Sequence, residues 1–491
     1  MFQIQPLFPS SPSQTTGVTT WTRAKARDGD PTQTDDRRLS EGGWLCTMSY
    51  ETIIGKNTSQ PGINLVGLSH VDRRNHVHII GKTGVGKTTL VRNMLIQHIE
   101  AGDGVGIIDP HGDLAESLLD YIPPHRTDDL IYFNPSDSEY PVGLNVLSGK
   151  HRDNHLVASG IRSALKSIWS EFWGPRMDYI FLNALLTLLE IGNATLMDVP
   201  RILNDDNYRN HMLGKLRDPV LWNFWFNDYA MMDRRQRKDA IGPIENKIGQ
   251  FVSSEPMRNI VGQVSSKLDF SKIINGQLEY DPDLKRKFNR RYIFIANLSK
   301  GKLGDDKTNL LGALLITQFK LAAMQRATIP EEDRQDFFLF VDEFQNFCTD
   351  SFEEILSEAR KYRLNLVLSH QYMDQLTAKV RASVFGNIGT MISFRIGHTD
   401  AEIMEREFGK QYIASQFADL KRYDMIMRPL VNGADGPAYR VTALPPLGTR
   451  YGRSANMIRC SREKYARSRI SVEQHIEIQL RRGGGNDFFV Y

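Results

Sequence analysis

Residues 76–99 of this 491-residue chain read HVHIIGKTGVGKTTLVRNMLIQHI and decide its fold. The first five residues predict a short buried strand, and residues 88–99 place apolar side chains at helical spacing. Between them, residues 81–88 fit the pattern G-x-x-x-x-G-K-[ST], directly after a strand and at the start of a helix, as that pattern requires. The stretch therefore predicts a phosphate-binding loop, the P-loop.

Each part of this loop has a defined role in holding a nucleoside triphosphate. Lys87 is expected to reach the β- and γ-phosphates, and the Thr88 hydroxyl to bind Mg²⁺. The glycines let backbone N–H groups curl around the phosphates, and the helix N-terminus adds a favourable dipole. The predicted nucleotide-binding residues are Gly81, Thr83, Gly84, Val85, Gly86, Lys87, Thr88 and Thr89.

A second apolar strand, residues 337–341, is followed by two adjacent carboxylates, Asp342 and Glu343. Open α/β sheets bind ligands at the carboxyl ends of their strands, where this pair would lie. Asp342 is expected to orient Mg²⁺ through its water shell, and Glu343 to polarise the attacking water. An Asp-Glu pair at a strand end is usually just a solvated terminus, but together with a phosphate-binding loop it predicts ATP hydrolysis.

Three more strand ends carry candidate residues. Gln371 is predicted to sense the γ-phosphate or to position water, and the alternative is a bond to a neighbouring loop. Arg395 is predicted to act as an arginine finger on the nucleotide of a neighbouring subunit, and the alternative is a surface salt bridge. Asp109 is a candidate for supporting the metal or its water network.

Alternating strands and helices predict an α/β protein whose parallel sheet is covered on both faces. Strands are predicted at residues 76–80, 104–108, 292–298, 337–341, 364–368 and 390–394. The region between the second and third of these strands carries long helical patterns and four of the six Trp residues, and it predicts a mainly helical insertion. The predicted organisation is a disordered segment (1–47), the first part of an ATPase domain (48–148), the insertion (149–290), the second part of the ATPase domain (291–443) and a basic C-terminal tail (444–491).

Composition excludes several classes of protein. The formal net charge of +3 does not indicate a strongly basic nucleic-acid binder, so any such surface must be local. The three cysteines are far apart and form no CxxC pair, which argues against a zinc ribbon or a disulfide framework. No stretch reaches the roughly 20 apolar residues that span a bilayer, and residues 179–191 predict a buried helix instead. These features favour a cytoplasmic location.

Several separate motifs in one order resemble those of the HerA–FtsK superfamily. They are residues 81–88, 109–113, 340–344, 357–371 and 387–400. Within that superfamily the sequence is most similar to the DNA-binding ATPases of type IV secretion, the conjugative coupling proteins.

This resemblance implies a RecA-like motor with a helical insertion, assembled as a ring of six subunits around DNA, with ATP and Mg²⁺ as cofactors. It implies the roles given above to Lys87, Thr88, Asp342, Glu343, Gln371 and Arg395. Coupling proteins are usually held in the membrane by N-terminal transmembrane helices, which this sequence lacks. The expected protein is therefore a soluble DNA motor, or a motor that membrane-bound secretion partners recruit to the inner face of the membrane.

Local basic clusters are the candidates for DNA contact, although a run of charges is more often a solvated face. They are Arg234-Arg235-x-Arg237-Lys238, Lys285-Arg286-Lys287 with Arg290-Arg291, the arginines between 450 and 469, and a candidate pore loop, Lys300-Gly301-Lys302. The leading hypothesis is a ring-forming, ATP-driven DNA translocase. The alternatives are an ATPase that powers protein export or pilus assembly, and a nucleotide-dependent regulatory switch.

Overall fold

A computed structural model describes residues 52–59, 65–148, 153–170, 173–281, 286–348, 350–431 and 433–481. The predicted disordered segment, 1–47, lies outside these residues. The strands are β1 (Thr52–Asn57), β2 (Leu65–Leu68), β3 (Val77–Ile80), β4 (Gly104–Asp109), β5 (Leu130–Phe133), β6 (Gln277–Asp281), β7 (Arg286–Arg290), β8 (Ile293–Asn297), β9 (Phe337–Val341), β10 (Leu364–His370), β11 (Thr390–Ser393), β12 (Asp424–Arg428), β13 (Leu430–Val431), β14 (Ala434–Asp435) and β15 (Tyr439–Ala443).

The α-helices fall into three groups along the chain. Near the phosphate-binding loop lie α1 (Lys87–Glu100) and α2 (Asp113–Leu118). The insertion contains α3 (Asn154–Ile168), α4 (Pro175–Ile191), α5 (Asp198–Asn204), α6 (Asp206–Leu213), α7 (Pro219–Asn223), α8 (Arg234–Ser253), α9 (Glu255–Val261) and α10 (Phe270–Asn275). After it come α11 (Lys300–Leu303), α12 (Asp305–Gln325), α13 (Asp350–Glu358), α14 (Ala378–Asn387), α15 (His398–Glu407), α16 (Ala414–Ala418), α17 (Ser454–Tyr465) and α18 (Arg469–Arg481).

One large sheet has the strand order β2-β1-β15-β12-β11-β3-β10-β9-β4-β8-β5. All neighbours from β11 to β5 pair in parallel. These strands are short and apolar, and every residue of β9, FFLFV, is buried. Continuous apolar strands are what a sheet covered on both faces requires. The predicted fold class, an α/β RecA-like P-loop fold with a mostly parallel central sheet and added helices, is confirmed.

The other side of the sheet differs from the purely parallel prediction. There β12, β15, β1 and β2 continue the sheet with antiparallel pairing, so the sheet is mixed. β1 (TIIGKN) ends in two polar residues, and β2 (LVGL) is only four residues long, so neither gives a clear strand signal. Pairing in these strands depends on partners far along the chain, which the strand sequences do not reveal.

Helices cover both faces of the parallel strands. On one face, α1 packs against β1 and β4. On the other face lies α12, which is buried along most of its length. Phe319 of α12 stacks on Phe337, with 5.5 Å between ring centroids, and meets the edge of Phe294 at 5.3 Å. The helix α3 packs on α12, so the insertion is anchored to the sheet through this helix.

The insertion contains α4 where the sequence predicts a buried helix at 179–191. Trp225 is buried, and its indole N–H donates to the Thr187 hydroxyl over 2.9 Å. Trp222, by contrast, is 48% exposed and stacks on Phe226 with centroids 4.1 Å apart. Among the described residues, no helix combines the length and apolar character needed to cross a bilayer.

The C-terminal stretch folds back onto the sheet. The hydroxyl of Ser461, on α17, accepts a hydrogen bond from the backbone N–H of Tyr132 over 2.8 Å. This contact covers part of the edge strand β5, whose backbone groups would otherwise face solvent. Basic residues of this stretch form ion pairs with the first part of the ATPase domain: Arg450 with Asp120, Arg462 with Asp137, and Lys464 with Asp128.

Candidate nucleotide-binding site

The loop between β3 and α1 forms an open cradle of backbone groups. Gly84 and Gly86 have φ angles of 76° and 122°, in the region that favours glycine. An ideal Cβ on Gly84 would have no atom within 4 Å, so the loop opens to solvent there. No side chain caps the N-terminus of α1, and the N–H groups of its first turn remain for a ligand. These features fit a bound phosphate chain.

Lys87 begins α1 and points back into the loop. Its ammonium donates to the backbone carbonyl of Gly81 over 2.5 Å and to that of Lys82 over 3.3 Å. Burial lowers the pKa of Lys87, whereas the negative charges of Glu343 and Asp342 raise it. The ammonium therefore lies within electrostatic range of both predicted carboxylates, as a lysine that binds β- and γ-phosphates must.

Asp342 leaves the end of β9 and is almost completely buried. Its Oδ1 accepts a hydrogen bond from the hydroxyl of Ser369 over 2.7 Å. Burial raises the pKa of Asp342 to about 6; the Ser369 hydroxyl opposes this shift, and the charges of Asp109 and Glu343 add to it. A buried carboxylate with so little compensation fits a nearby divalent cation, which would stabilise its charged form. The sequence analysis missed Ser369, although a serine near the end of an apolar strand beside the Asp-Glu pair was a usable signal.

Glu343 is held in one orientation by two amides. Its Oε1 accepts from the side-chain amide of Gln371 over 2.9 Å, and its Oε2 from that of Gln345 over 2.9 Å. The backbone of Glu343 is left-handed, with φ of 45°, which is uncommon for a residue with a side chain. Such conformations persist where surrounding contacts enforce them, and they concentrate at functional sites. The structure thus joins Glu343 and Gln371, which are 28 residues apart along the chain.

The remaining loop residues lie where the motif puts them. Thr83 and Thr88 are exposed at the cradle, Thr89 is half-buried, and Val85 is buried beneath it. Asp109, at the end of β4, is fully buried and accepts hydrogen bonds from the backbone N–H of His111 over 2.8 Å and from that of Ala115 in α2 over 2.9 Å. Its direct contacts therefore hold the start of α2, and it acts on the site through its charge.

Arg395 lies just beyond β11, beside the loop. Its backbone carbonyl accepts from the N–H of Lys82 over 2.9 Å. The Arg395 side chain is exposed and forms no ion pair with any described residue, so the surface salt bridge considered from the sequence is not present within this part of the chain. Its role as a finger stays a prediction, because the structure contains a single chain.

Beneath the loop, a histidine pair ties β3 to β10. The Nε2 atoms of His78 and His370 are 2.8 Å apart, so one ring donates to the other. Burial lowers the pKa of His78 to about 3, and it also lowers the pKa of His370 well below its usual value. Two neutral, buried rings act in packing and alignment of the strands.

Two family models match the sequence, in the order that the sequence motifs predict. The model of the central domain of the helicase HerA matches residues 53–280. The model of the TraM recognition site of TraD and TraG matches residues 336–421. A comparison with curated proteins found no match.

Solved structures with the same fold include conjugative coupling proteins and a VirB4 protein. The bacterial conjugative coupling protein TrwBΔN70 has 15% identity and a TM-score of 0.54, over 79% of this chain and 88% of that one. TrwB in complex with ADP and Mg²⁺ has 16% identity and a TM-score of 0.56, over 79% and 90% of the two chains. VirB4 of Thermoanaerobacter pseudethanolicus has 14% identity and a TM-score of 0.52, over 84% and 100%. The two family matches confirm the predicted resemblance to the HerA–FtsK superfamily, and the solved structures show that the chain shares the fold of conjugative coupling proteins.

Proposed function

We propose that the protein binds ATP with Mg²⁺ and hydrolyses it. The observation that carries this proposal is the fixed carboxylate of Glu343, held between Gln371 and Gln345 on the same sheet edge as the P-loop. A base that activates water must be oriented before the reaction, and two amide donors at 2.9 Å provide that orientation. TrwB, which shares the fold, has been solved with ADP and Mg²⁺ and with an ATP analogue, in support of these ligands.

Each residue then has one task. Lys87 binds the β- and γ-phosphates, while Thr88 and Asp342 hold the metal, Asp342 through water. Bound ATP supplies the γ-phosphoryl group, and Mg²⁺ neutralises the charge on its oxygens. Glu343 accepts a proton from the attacking water, and the amide of Gln371 keeps the carboxylate aimed at that water.

We further propose that the chain assembles as a ring of six subunits, as the resemblance to the HerA–FtsK superfamily implies. Support comes from Arg395, which is exposed beside the loop and forms no ion pair with a described residue. An exposed guanidinium at a nucleotide site suits a neighbouring subunit's phosphates, where it would stabilise charge in the transition state. We place this ring in the cytoplasm, where ATP is available, with recruitment by membrane-bound secretion partners.

We propose that the polymer moved by this ring is DNA, and that the protein contacts the DNA through its phosphates. The cluster Arg234, Arg235 and Lys238 is exposed at the start of α8 and forms no ion pair with described residues. Arg237 differs, because it donates to backbone carbonyls of the preceding turn. Positive charges without an ion-pair partner can neutralise DNA phosphates. A motor that moves along DNA of any base sequence must rely on contacts with the DNA backbone.

The other predicted basic clusters are largely neutralised. Arg290 forms ion pairs with Asp129 and Glu279. Arg291 donates hydrogen bonds to the side-chain carbonyl of Gln335 and the backbone carbonyl of Asp336. Lys285 lies outside the described residues. Four of the arginines between 450 and 469 form ion pairs: Arg450, Arg459, Arg462 and Arg469. Because so much basic charge is engaged, a protein-export ATPase remains the rival proposal.

The decisive experiment measures ATP turnover with and without single-stranded and double-stranded DNA. Wild-type turnover should rise with DNA, and Glu343→Gln should keep ATP binding but lose about 10²–10⁴-fold in turnover, the usual contribution of a general base. Glu358→Gln, which changes an exposed glutamate of α13, is the matched control and should behave as wild type. If Glu343→Gln turned over ATP at the wild-type rate, the assignment of Glu343 as the base would be wrong. If neither single-stranded nor double-stranded DNA changed the turnover of the wild-type protein, the protein-export ATPase would be favoured.

A further inference from the structure

A tyrosine that the P-loop motif does not include lies against this loop. Tyr423 precedes β12, and its backbone N–H donates to the carbonyl of Val85 over 2.8 Å. Its own carbonyl accepts from the N–H of Ala443 over 2.8 Å. These two bonds fix a residue whose φ is 70°, an uncommon value for a bulky side chain.

The ring of Tyr423 lies directly beside Gly86. An ideal Cβ on Gly86 would fall 2.8 Å from Cδ1 of the tyrosine, so only glycine permits this approach. Tyr423 is nevertheless 37% exposed, and its hydroxyl forms no hydrogen bond with a described residue. The guanidinium of Arg422 lies over the ring, 4.8 Å from its centroid, and that arginine forms no ion pair with described residues.

We propose that Tyr423, with Arg422, is the subsite for the base of the bound nucleotide, an inference that rests on the proposed ATP binding. The ring of Tyr423 contacts Gly86, the residue before the lysine proposed to bind phosphates, and Arg422 lies over that ring. If Arg422 moves aside, the ring offers stacking to a purine at the end of the phosphate chain. Stacking uses the π-face that every base has and tolerates a change of base. The subsite therefore holds the base of ATP or of GTP without selecting between them.

The alternative role for Tyr423 is to brace the loop, and the test separates the two. Binding of Mg²⁺ complexes of ATP, GTP and inorganic tripolyphosphate is measured by calorimetry on the full chain. The variant Tyr423→Leu keeps an apolar side chain at the same backbone conformation but removes the ring, and Tyr423→Phe keeps the ring.

We expect Tyr423→Leu to bind ATP and GTP about 10-fold more weakly, on the scale of one lost base stack. Its tripolyphosphate affinity should match that of wild type, and Tyr423→Phe should match wild type for all three. If Tyr423→Leu lost affinity for tripolyphosphate and ATP equally, Tyr423 would only brace the loop, and the subsite proposal would be overturned. Unchanged ATP affinity in Tyr423→Leu would overturn it as well. Wild-type protein that binds neither ATP nor tripolyphosphate would instead overturn the proposed function itself.

Discussion

Removal of the Ser369 hydroxyl should weaken Mg²⁺ binding without weakening metal-free nucleotide binding. Ser369 is 1% exposed, and its hydroxyl donates to Asp342 over 2.7 Å. Asp342 is itself 7% exposed, and burial already raises its pKa to about 6. Ser369→Ala would leave this carboxylate without a donor that stabilises its charged form and orients it.

The expected size of the effect follows from that geometry. A hydrogen bond to a charged group contributes about 1.5–3 kcal/mol. At about 1.4 kcal/mol per factor of ten, this corresponds to roughly 10–100-fold in Mg²⁺ affinity. Groups that orient metal-binding carboxylates show losses of the same order, about 10–100-fold, when they are mutated.

The assay is the Mg²⁺ dependence of ATP turnover at saturating ATP, with ATP binding in a chelator as the second measurement. Ser393→Ala is the matched control, because Ser393 is buried at the end of the nearby strand β11 and donates to a neutral carbonyl, that of Phe394, over 3.0 Å. A wild-type Mg²⁺ midpoint in Ser369→Ala, or an equal shift in Ser393→Ala, would refute the reasoning.

Three further perturbations test phosphate binding, assembly and the polymer. Lys87→Ala should weaken ATP binding measured by calorimetry, because the buried ammonium is lost. Undiminished ATP affinity would show that Lys87 does not bind the phosphates. Arg395→Ala should lower ATP turnover about 10³-fold. When Arg395→Ala and Glu343→Gln subunits are mixed, part of the turnover should return, because some interfaces then combine an intact base with an intact arginine finger. No recovery in subunits shown to co-assemble would count against action in trans. Arg235→Ala combined with Lys238→Ala should make the log–log salt slope of duplex-DNA binding shallower by about 1.8, at ~0.9 per phosphate contact, with basal turnover unchanged. A salt slope equal to that of the wild-type protein would show that the DNA contacts lie elsewhere.

The central part of the fold was predictable because its strands carry their own signal. The strand predicted at 337–341 has the observed bounds of β9, since five apolar residues are followed at once by two carboxylates. Parallel strands end at one edge, so residues after different strands converge without any knowledge of register. In the structure a hydrogen bond of 2.9 Å joins the side chains of Gln371 and Glu343, while the role of Gln371 at the γ-phosphate stays a prediction.

Other features depend on distant partners that no local pattern contains. Tyr423 reaches the P-loop because β12 lies antiparallel beside β11, and the sequence analysis predicted no antiparallel strand. The ion pairs of the C-terminal stretch were likewise invisible, since Arg450 and Asp120 are 330 residues apart. Positive runs were therefore interpreted as free surface, although many of their charges are engaged within the fold.

In the proposed translocase, Lys300 at the start of α11 is a second candidate for polymer contact, and a short series of contacts leads from it to Glu343. The Lys300 ammonium, in the candidate pore loop, donates to the side-chain carbonyl of Asn346 over 3.0 Å and pairs with Asp305 at 3.1 Å. Asn346 in turn donates twice to the backbone carbonyl of Glu343, over 2.9 and 3.0 Å. Because Glu343 has a left-handed backbone that its neighbours hold, we expect an anion that draws Lys300 away to alter the support of this proposed catalytic base.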